Sequence, residues 1–129
     1  WIRKWQNETL EFARLNKFVE APLSGRREYF YRKIEPNKAL NFKVQTTAAD
    51  IINGAVKPIH EGLKKLGGHL IMQIHDDLTA HVPDGKVKES IALMRNHMEQ
   101  TVTLNGHTMK FPVDFKVGKN WGHMEEVKK

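Results

Sequence analysis

The chain has 129 residues, of which 40% are hydrophobic and 28% charged, and it contains no cysteine. That length fits one compact domain and hardly two, and the lack of cysteine excludes disulfide scaffolds, zinc ribbons and thiol nucleophiles. No apolar run reaches the roughly eighteen residues of a membrane span, no charged-then-apolar leader opens the chain, and a start at Trp1 points to processing or to a longer polypeptide.

Twenty-one Lys and Arg against fifteen Asp and Glu give a net charge of +6. The surplus is uneven: residues 1–45 hold ten basic and five acidic side chains, and residues 46–129 hold eleven and ten. A basic N-terminal third suits a polyanion, nucleic acid before membrane, although a solvated surface has the same composition.

Along the chain, residues 2–18 predict a helix, with Ile2, Trp5, Leu10, Phe12, Leu15 and Phe18 set roughly at helical spacing among charged residues. Residues 19–22 are extended, because Pro22 disfavours the helical region for Ala21. Ser24-Gly25 turns the chain into the aromatic β-like run Arg26 to Tyr31, a short hairpin, and residues 32–37 form a connector holding Pro36. A long helix is expected from Lys38 to Leu66, where Leu40, Val44, Ala48, Ile51, Ala55, Ile59 and Leu63 make one apolar stripe. Pro58 should kink or divide it, and Gly67-Gly68 should end it.

The run from His69 to Ile74 reads as a buried strand, and Leu78 to Val82 as a half-buried one. His75-Asp76-Asp77 joins them, and a Pro83-Asp84-Gly85 turn follows. Residues 86–102 return to helical steps, with the Met94 and Met98 pair as packing. A turn or hairpin is centred on Asn105-Gly106, residues 111–117 alternate as a final strand, and Gly118 to Gly122 is a turn that Trp121 packs. A polar tail closes the chain. The sum is α+β: a small antiparallel sheet packed against long helices.

Two groups of residues carry chemistry. Adjacent carboxylates at Asp76 and Asp77 repel unless a cation sits beside them, and Mg²⁺ favours one or two carboxylates together with substrate phosphate oxygens. The same residues also fit a solvated turn with two surface acids. Asn41 and Gln45, four apart on one helical face, carry amides suited to the minor-groove acceptors that every base pair presents, yet such a pair is also ordinary helix surface. His60, His69, His81, His97, His107 and His123 show no metal-binding spacing.

Taken together, these segments resemble the family A (polymerase I-like) DNA polymerases. Gln45-Thr46-Thr47-Ala48-Ala49-Asp50-Ile51 is similar to that family's Gln-Gly-Thr-Ala-Ala-Asp-Ile, with Asn41 at the family spacing upstream. Gln73-Ile74-His75-Asp76-Asp77-Leu78 resembles motif C, usually Val-His-Asp-Glu-Leu; Gly25-Arg26-Arg27 resembles the Gly-Arg-Arg before the Asn…Gln helix; and Val117-Gly118-Lys119-Asn120-Trp121 resembles the closing Val-Gly-x-Asn-Trp. The four motifs keep the family's order over about residues 10–123, and the short connector and Asn-Trp-Gly ending look closer to phage polymerases.

The resemblance implies the C-terminal palm portion of a DNA polymerase over residues 1–129, with residues 1–40 as the connection from the fingers. It implies Asp76 as a ligand of a two-metal magnesium site and Asp77, shorter than the family's Glu, as a second acid. His75 stands by the primer terminus, Asn41 and Gln45 track the minor groove, and Arg26, Arg27 and Lys38 contact DNA. The implied partners are primer–template DNA, dNTP and an upstream polymerase segment or companion chain, in the cytoplasm (a host's, for a phage protein) and with no membrane. Thr46 departs from the family glycine, and Asn37 stands where the family often has arginine. Motif A and the nucleotide-binding fingers helix are missing, so this chain alone is expected to be inactive. The rival readings are a non-catalytic nucleic-acid-binding module and a metal-dependent phosphodiesterase using His75-Asp76-Asp77.

Overall fold

In the computed structural model, which describes residues 1–104 and 106–127, helix α1 runs Ile2–Asn16. It stops short of the expected Phe18 because Lys17 turns left-handed (φ 63°, ψ 17°) while its N–H still bonds the carbonyl of Ala13 at 2.9 Å. The chain passes at once into β1, Phe18–Glu20, which pairs antiparallel with β2, Arg27–Tyr29, in the register Phe18↔Tyr29, Val19↔Glu28, Glu20↔Arg27. Gly25, at φ 69°, donates its N–H to the carbonyl of Ala21 at 3.0 Å inside the connection. Ala13, Val19, Phe30 and Ala39 form a buried cluster, with Leu10, Ile34 and Phe42 packed against it.

Helix α2, Pro36–Lys65, is one 30-residue element. Pro36 and Asn37, expected in the connector, form its first turn, where proline's missing N–H is no loss and its fixed φ suits a helix start. The helix also continues through Pro58 instead of dividing there. Its end is a Schellman arrangement: Gly67 takes φ 77° and bonds the carbonyl of Lys64 at 3.1 Å, and the N–H of Gly68 reaches the carbonyl of Leu63 at 2.8 Å. The chain divides into two compact units, residues 1–53 and 54–129.

In the second unit the buried apolar side chains are Ala55, Ile59 and Leu63 on α2, Met94 and Met98 on helix α3 (Val87–Met98), and Phe115. The Met94/Met98 step is therefore packing, as its spacing predicts. A Cβ on Gly62 would lie 2.6 Å from Leu93, so glycine there lets α2 and α3 approach closely. A 3-10 turn at Asp84–Lys86 leads into α3.

The strands do not merge into one sheet. Among the described residues they form four antiparallel two-stranded ribbons: β1–β2, β3 (His69–Ile74) with β4 (Asp77–His81), β5 (Thr101–Leu104) with β6 (His107–Lys110), and β7 (Lys116–Asn120) with β8 (His123–Glu126). The α+β class holds, with several corrections. Strand β3 is not buried, for Ile71, Met72 and Ile74 are 61%, 38% and 42% exposed, and no third strand covers the ribbon among the described residues.

Helix α3 ends at Met98, before the expected Val102, because Thr101 to Leu104 is β-branched and alternating and pairs as a strand. The β5–β6 connection includes Gly106 at φ 78°, while Asn105 lies outside the described residues. Residues 111–115 alternate yet form no strand: Pro112 has no N–H, and the N–H of Val113 goes to the Glu99 carboxylate at 3.1 Å. The turn expected over residues 118–122 narrows to Trp121-Gly122, Trp121 is 56% exposed rather than packed, and the expected tail is strand β8.

Glu99 and Gly118 mark two tight points of this packing. Glu99, just past α3, accepts from Arg95 at 2.9 Å, from the Val113 N–H at 3.1 Å and from Lys110 at 3.3 Å. The Val113 N–H chiefly, then Lys110 and Arg95, hold its carboxyl below the usual carboxylate range against the opposing effect of burial. A depressed folded-state value stabilises above the unfolded-state value and is lost as pH falls through the folded one. Glu99→Gln is therefore expected to unfold at lower urea than the parent at neutral pH, with the gap closing on acidification through the carboxylate range. Gly118 gives the second test, since a Cβ there would sit 1.9 Å from the carbonyl oxygen of His123. Gly118→Ala must spread the β7–β8 ribbon, and equilibrium urea unfolding should show a loss of about 1–3 kcal/mol, as for overpacking generally.

Candidate functional site

The β3–β4 ribbon pairs Ile74 with Asp77, so two residues, His75 and Asp76, make the whole connection. Two-residue hairpin loops need positive φ at one or both positions to match the strand twist, and His75 supplies it at φ 54°. A non-glycine side chain in that region is uncommon and costs backbone energy. The result is that His75, Asp76 and Asp77 all stand exposed at one tip, with Gln73 Nε2 reaching the carbonyl of His75 at 3.5 Å. At the base of the ribbon a Cβ on Gly68 would lie 2.9 Å from the carbonyl of His81, so the strands start in close contact.

Asp76 and Asp77 offer hard carboxylate oxygens, the donor type that magnesium prefers. They are two donors on adjacent residues. Among the described residues no three His, Cys, Asp or Glu side chains converge as a metal cage. By donor type the two carboxylates suit magnesium, and by number they are fewer than a full ligand set.

The second group lies in the N-terminal unit. Lys38, Asn41 and Gln45 follow one another at steps of three and four on α2 and are all exposed, forming one polar stripe. Ala39 and Thr46 are buried and Phe42 is partly buried on the same helix. Thr46, in place of the family glycine, is thus a buried side chain (5% exposed), while Thr47 donates its hydroxyl to the carbonyl of Lys43 at 2.6 Å.

The basic candidates are not equivalent. Arg27 donates to Glu20, its cross-strand neighbour, at 2.6 Å, and its guanidinium lies 4.3 Å from the Phe18 ring centroid. Lys38 pairs with Glu28 at 2.6 Å. Both basic groups are held more firmly protonated, chiefly by those hydrogen bonds to Glu20 and Glu28. Arg26 makes no ion pair among the described residues. The acidic partners Glu20 and Glu28 are what sequence reasoning misses, although a hairpin register with Glu20 opposite Arg27 is available as a signal.

The structure thus brings His75, Asp76 and Asp77 together on one hairpin, and Lys38, Asn41 and Gln45 onto one helix face, with Arg26 and Arg27 at the β1–β2 end of the same unit.

Comparison with known proteins gives concordant results. The family model for DNA polymerase family A matches residues 1–123. A thermostable DNA polymerase I of Thermus filiformis is 35% identical over 93% of this chain, and DNA polymerase I of Deinococcus radiodurans is 33% identical over 93%. DNA polymerase theta of Drosophila melanogaster is 29% identical over 98% of the chain. The chain spans 15%, 13% and 7% of those three proteins, respectively. Among solved structures, the polymerase domain of Pol1 from M. smegmatis, in complex with DNA primer–template and dNTP, superposes with a TM-score of 0.68 at 28% identity. That match covers 76% of this chain and 19% of the other.

The strained position in the hairpin turn gives a direct test. His75→Val places a β-branched residue at a left-handed φ and should destabilise the ribbon by about 1–2 kcal/mol, whereas His75→Gly should not. Urea unfolding of the two variants reads the difference.

Proposed function

The chain belongs to DNA polymerase family A, and on that premise we propose that it forms the C-terminal palm portion of a template-directed DNA polymerase. Residues 1–40 serve as the connection from the fingers, and the upstream palm strand and main fingers helix come from a preceding segment or a companion chain. The observation that carries this reading is the placement of Asp76 at an exposed two-residue hairpin turn, flanked by His75 and Asp77.

In this reading Asp76 is one carboxylate of a two-metal magnesium site, and the remaining carboxylates belong to residues outside the chain. Magnesium bound there supplies activation of the primer 3′-hydroxyl and charge stabilisation of the departing pyrophosphate. Asp77 lies one residue further along the strand with a side chain one bond shorter than Glu; it adds negative charge beside the metals and is not a required ligand. His75, fixed by its turn conformation, lies at the primer terminus. Asn41 and Gln45 donate to the minor-groove acceptors N3 and O2, which correct base pairs of either kind present, so mispairs are sensed by shape. Arg26 contacts phosphate, and Arg27 and Lys38 join it by exchanging their half-buried carboxylate partners for phosphate oxygens. Primer–template DNA and dNTP are the partners.

Primer extension with Mg²⁺ and four dNTPs tests the reading. The chain alone is expected to be inactive, the chain with the polypeptide that co-purifies with it active, and Asp76→Asn in that mixture reduced to background, with Asp77→Asn less affected. Unchanged extension by the Asp76→Asn mixture removes the metal-ligand assignment and favours a non-catalytic nucleic-acid-binding module.

A further inference from the structure

Four aromatic rings contact one another in series along the surface of the N-terminal unit. Phe12 meets Phe18 edge-on at 5.5 Å, Phe18 meets Tyr29 at 5.6 Å, and Tyr29 stacks on Tyr31 at 6.2 Å with 18° between the planes. The last ring, Tyr31, is 92% exposed. A tyrosine so open contributes nothing to the core, and its one ring neighbour is Tyr29, which it meets in a nearly parallel orientation. Phe18, in the middle of the stack, is itself fixed by the Arg27 guanidinium 4.3 Å from its centroid.

The surroundings of Tyr31 are basic. Tyr29, Tyr31, Arg32, Lys33, Glu35 and Lys38 border a surface depression of about 510 Å³. Lys38 is already paired with Glu28, but Arg32 and Lys33 are exposed and make no ion pair among the described residues. An open aromatic ring next to two cations that make no ion pair among the described residues is the arrangement that holds a single strand: a base stacks on the ring whatever its identity, and the cations take the flanking phosphates.

We infer that Tyr31, Arg32 and Lys33 form a binding platform for single-stranded nucleic acid. The platform goes beyond the polymerase reading, for it involves neither Asp76 nor the amide stripe of Asn41 and Gln45. Its ligand is an unpaired strand, whereas the amide stripe requires a minor groove and therefore a duplex.

The test is fluorescence anisotropy of a labelled oligothymidylate of about 12 nucleotides, within the site sizes of such platforms. It uses the full chain without divalent metal or dNTP, beside a duplex of equal length. Tyr31→Ala should weaken single-strand binding about tenfold, the scale of losing one stacked base, and leave duplex binding unchanged. Tyr31→Phe should bind as the parent does, because the ring is retained. The double variant Arg32→Ala/Lys33→Ala should lower the slope of log affinity against log salt by about 1.4, at about 0.7 for each phosphate no longer neutralised. Parent-like single-strand binding by Tyr31→Ala, an equal loss on duplex, or a Phe variant as weak as Ala would overturn the inference. Because the measurement contains no magnesium and no dNTP, its failure is distinguishable from failure of the primer-extension test.

Discussion

A two-residue connection between antiparallel strands leaves no slack, and the candidate catalytic residues depend on that constraint. Once Ile74 faces Asp77, His75 and Asp76 must occupy the turn, and His75 must take the positive φ that the twist demands. A longer loop would let two neighbouring carboxylates move apart and relieve their repulsion. Here the ladder holds both near one tip, where a cation can offset it. The base of the ribbon enforces the same geometry, because glycine at position 68 lets β3 begin hard against the carbonyl of His81. The bulge between Leu70 and Met72 is absorbed within the strand and does not change the pairing at the tip.

What the sequence makes legible is local. The Ile74-His75-Asp76-Asp77 turn follows from two apolar runs with polar residues between them, and the α2 stripe follows from a spacing of three and four. The Gly67-Gly68 helix stop is likewise written in adjacent residues. What it does not make legible is pairing. Residues 111–115 alternate as well as any strand, but alternation states a period and not a partner, and Val113 gives its N–H to Glu99 instead. The polar segment His123 to Glu126 has no apolar face to announce a strand, yet it pairs with β7, and Val127 closes that end by bonding Phe115 at 2.8 Å. In β3 the mismatch runs the other way. Apolar content suggests burial, while Ile71 and Ile74 remain open in the structure.

Helix ends show the same division. Lys17 and Pro36 mark boundaries through backbone conformation, and neither position is set by hydrophobic period. A left-handed lysine carries no sequence signal comparable to a glycine. Proline is ambiguous in a different way, since it suits the first turn of a helix and in the interior removes a hydrogen bond that the helix can still run past. Pro36 begins α2 and Pro58 sits within it, so one residue type has two outcomes in a single helix.

Charge composition needs the structure in a further respect. The N-terminal third carries a surplus of basic residues, but a surplus does not say which cations are available. Glu20 and Glu28 each engage a basic side chain, Arg27 and Lys38, and both pairs are half-buried, with side chains 29–51% exposed, so water screens them only in part. Arg26, Arg32 and Lys33 carry no such partner among the described residues. Of the basic residues in this unit, these three are therefore open to an anion as they stand, whereas Arg27 and Lys38 are open to one only by displacing a carboxylate. This ordering follows from hairpin register: Glu20 lies across from Arg27 because β1 and β2 pair as they do, and a shift of one residue would reverse which of Arg26 and Arg27 is free.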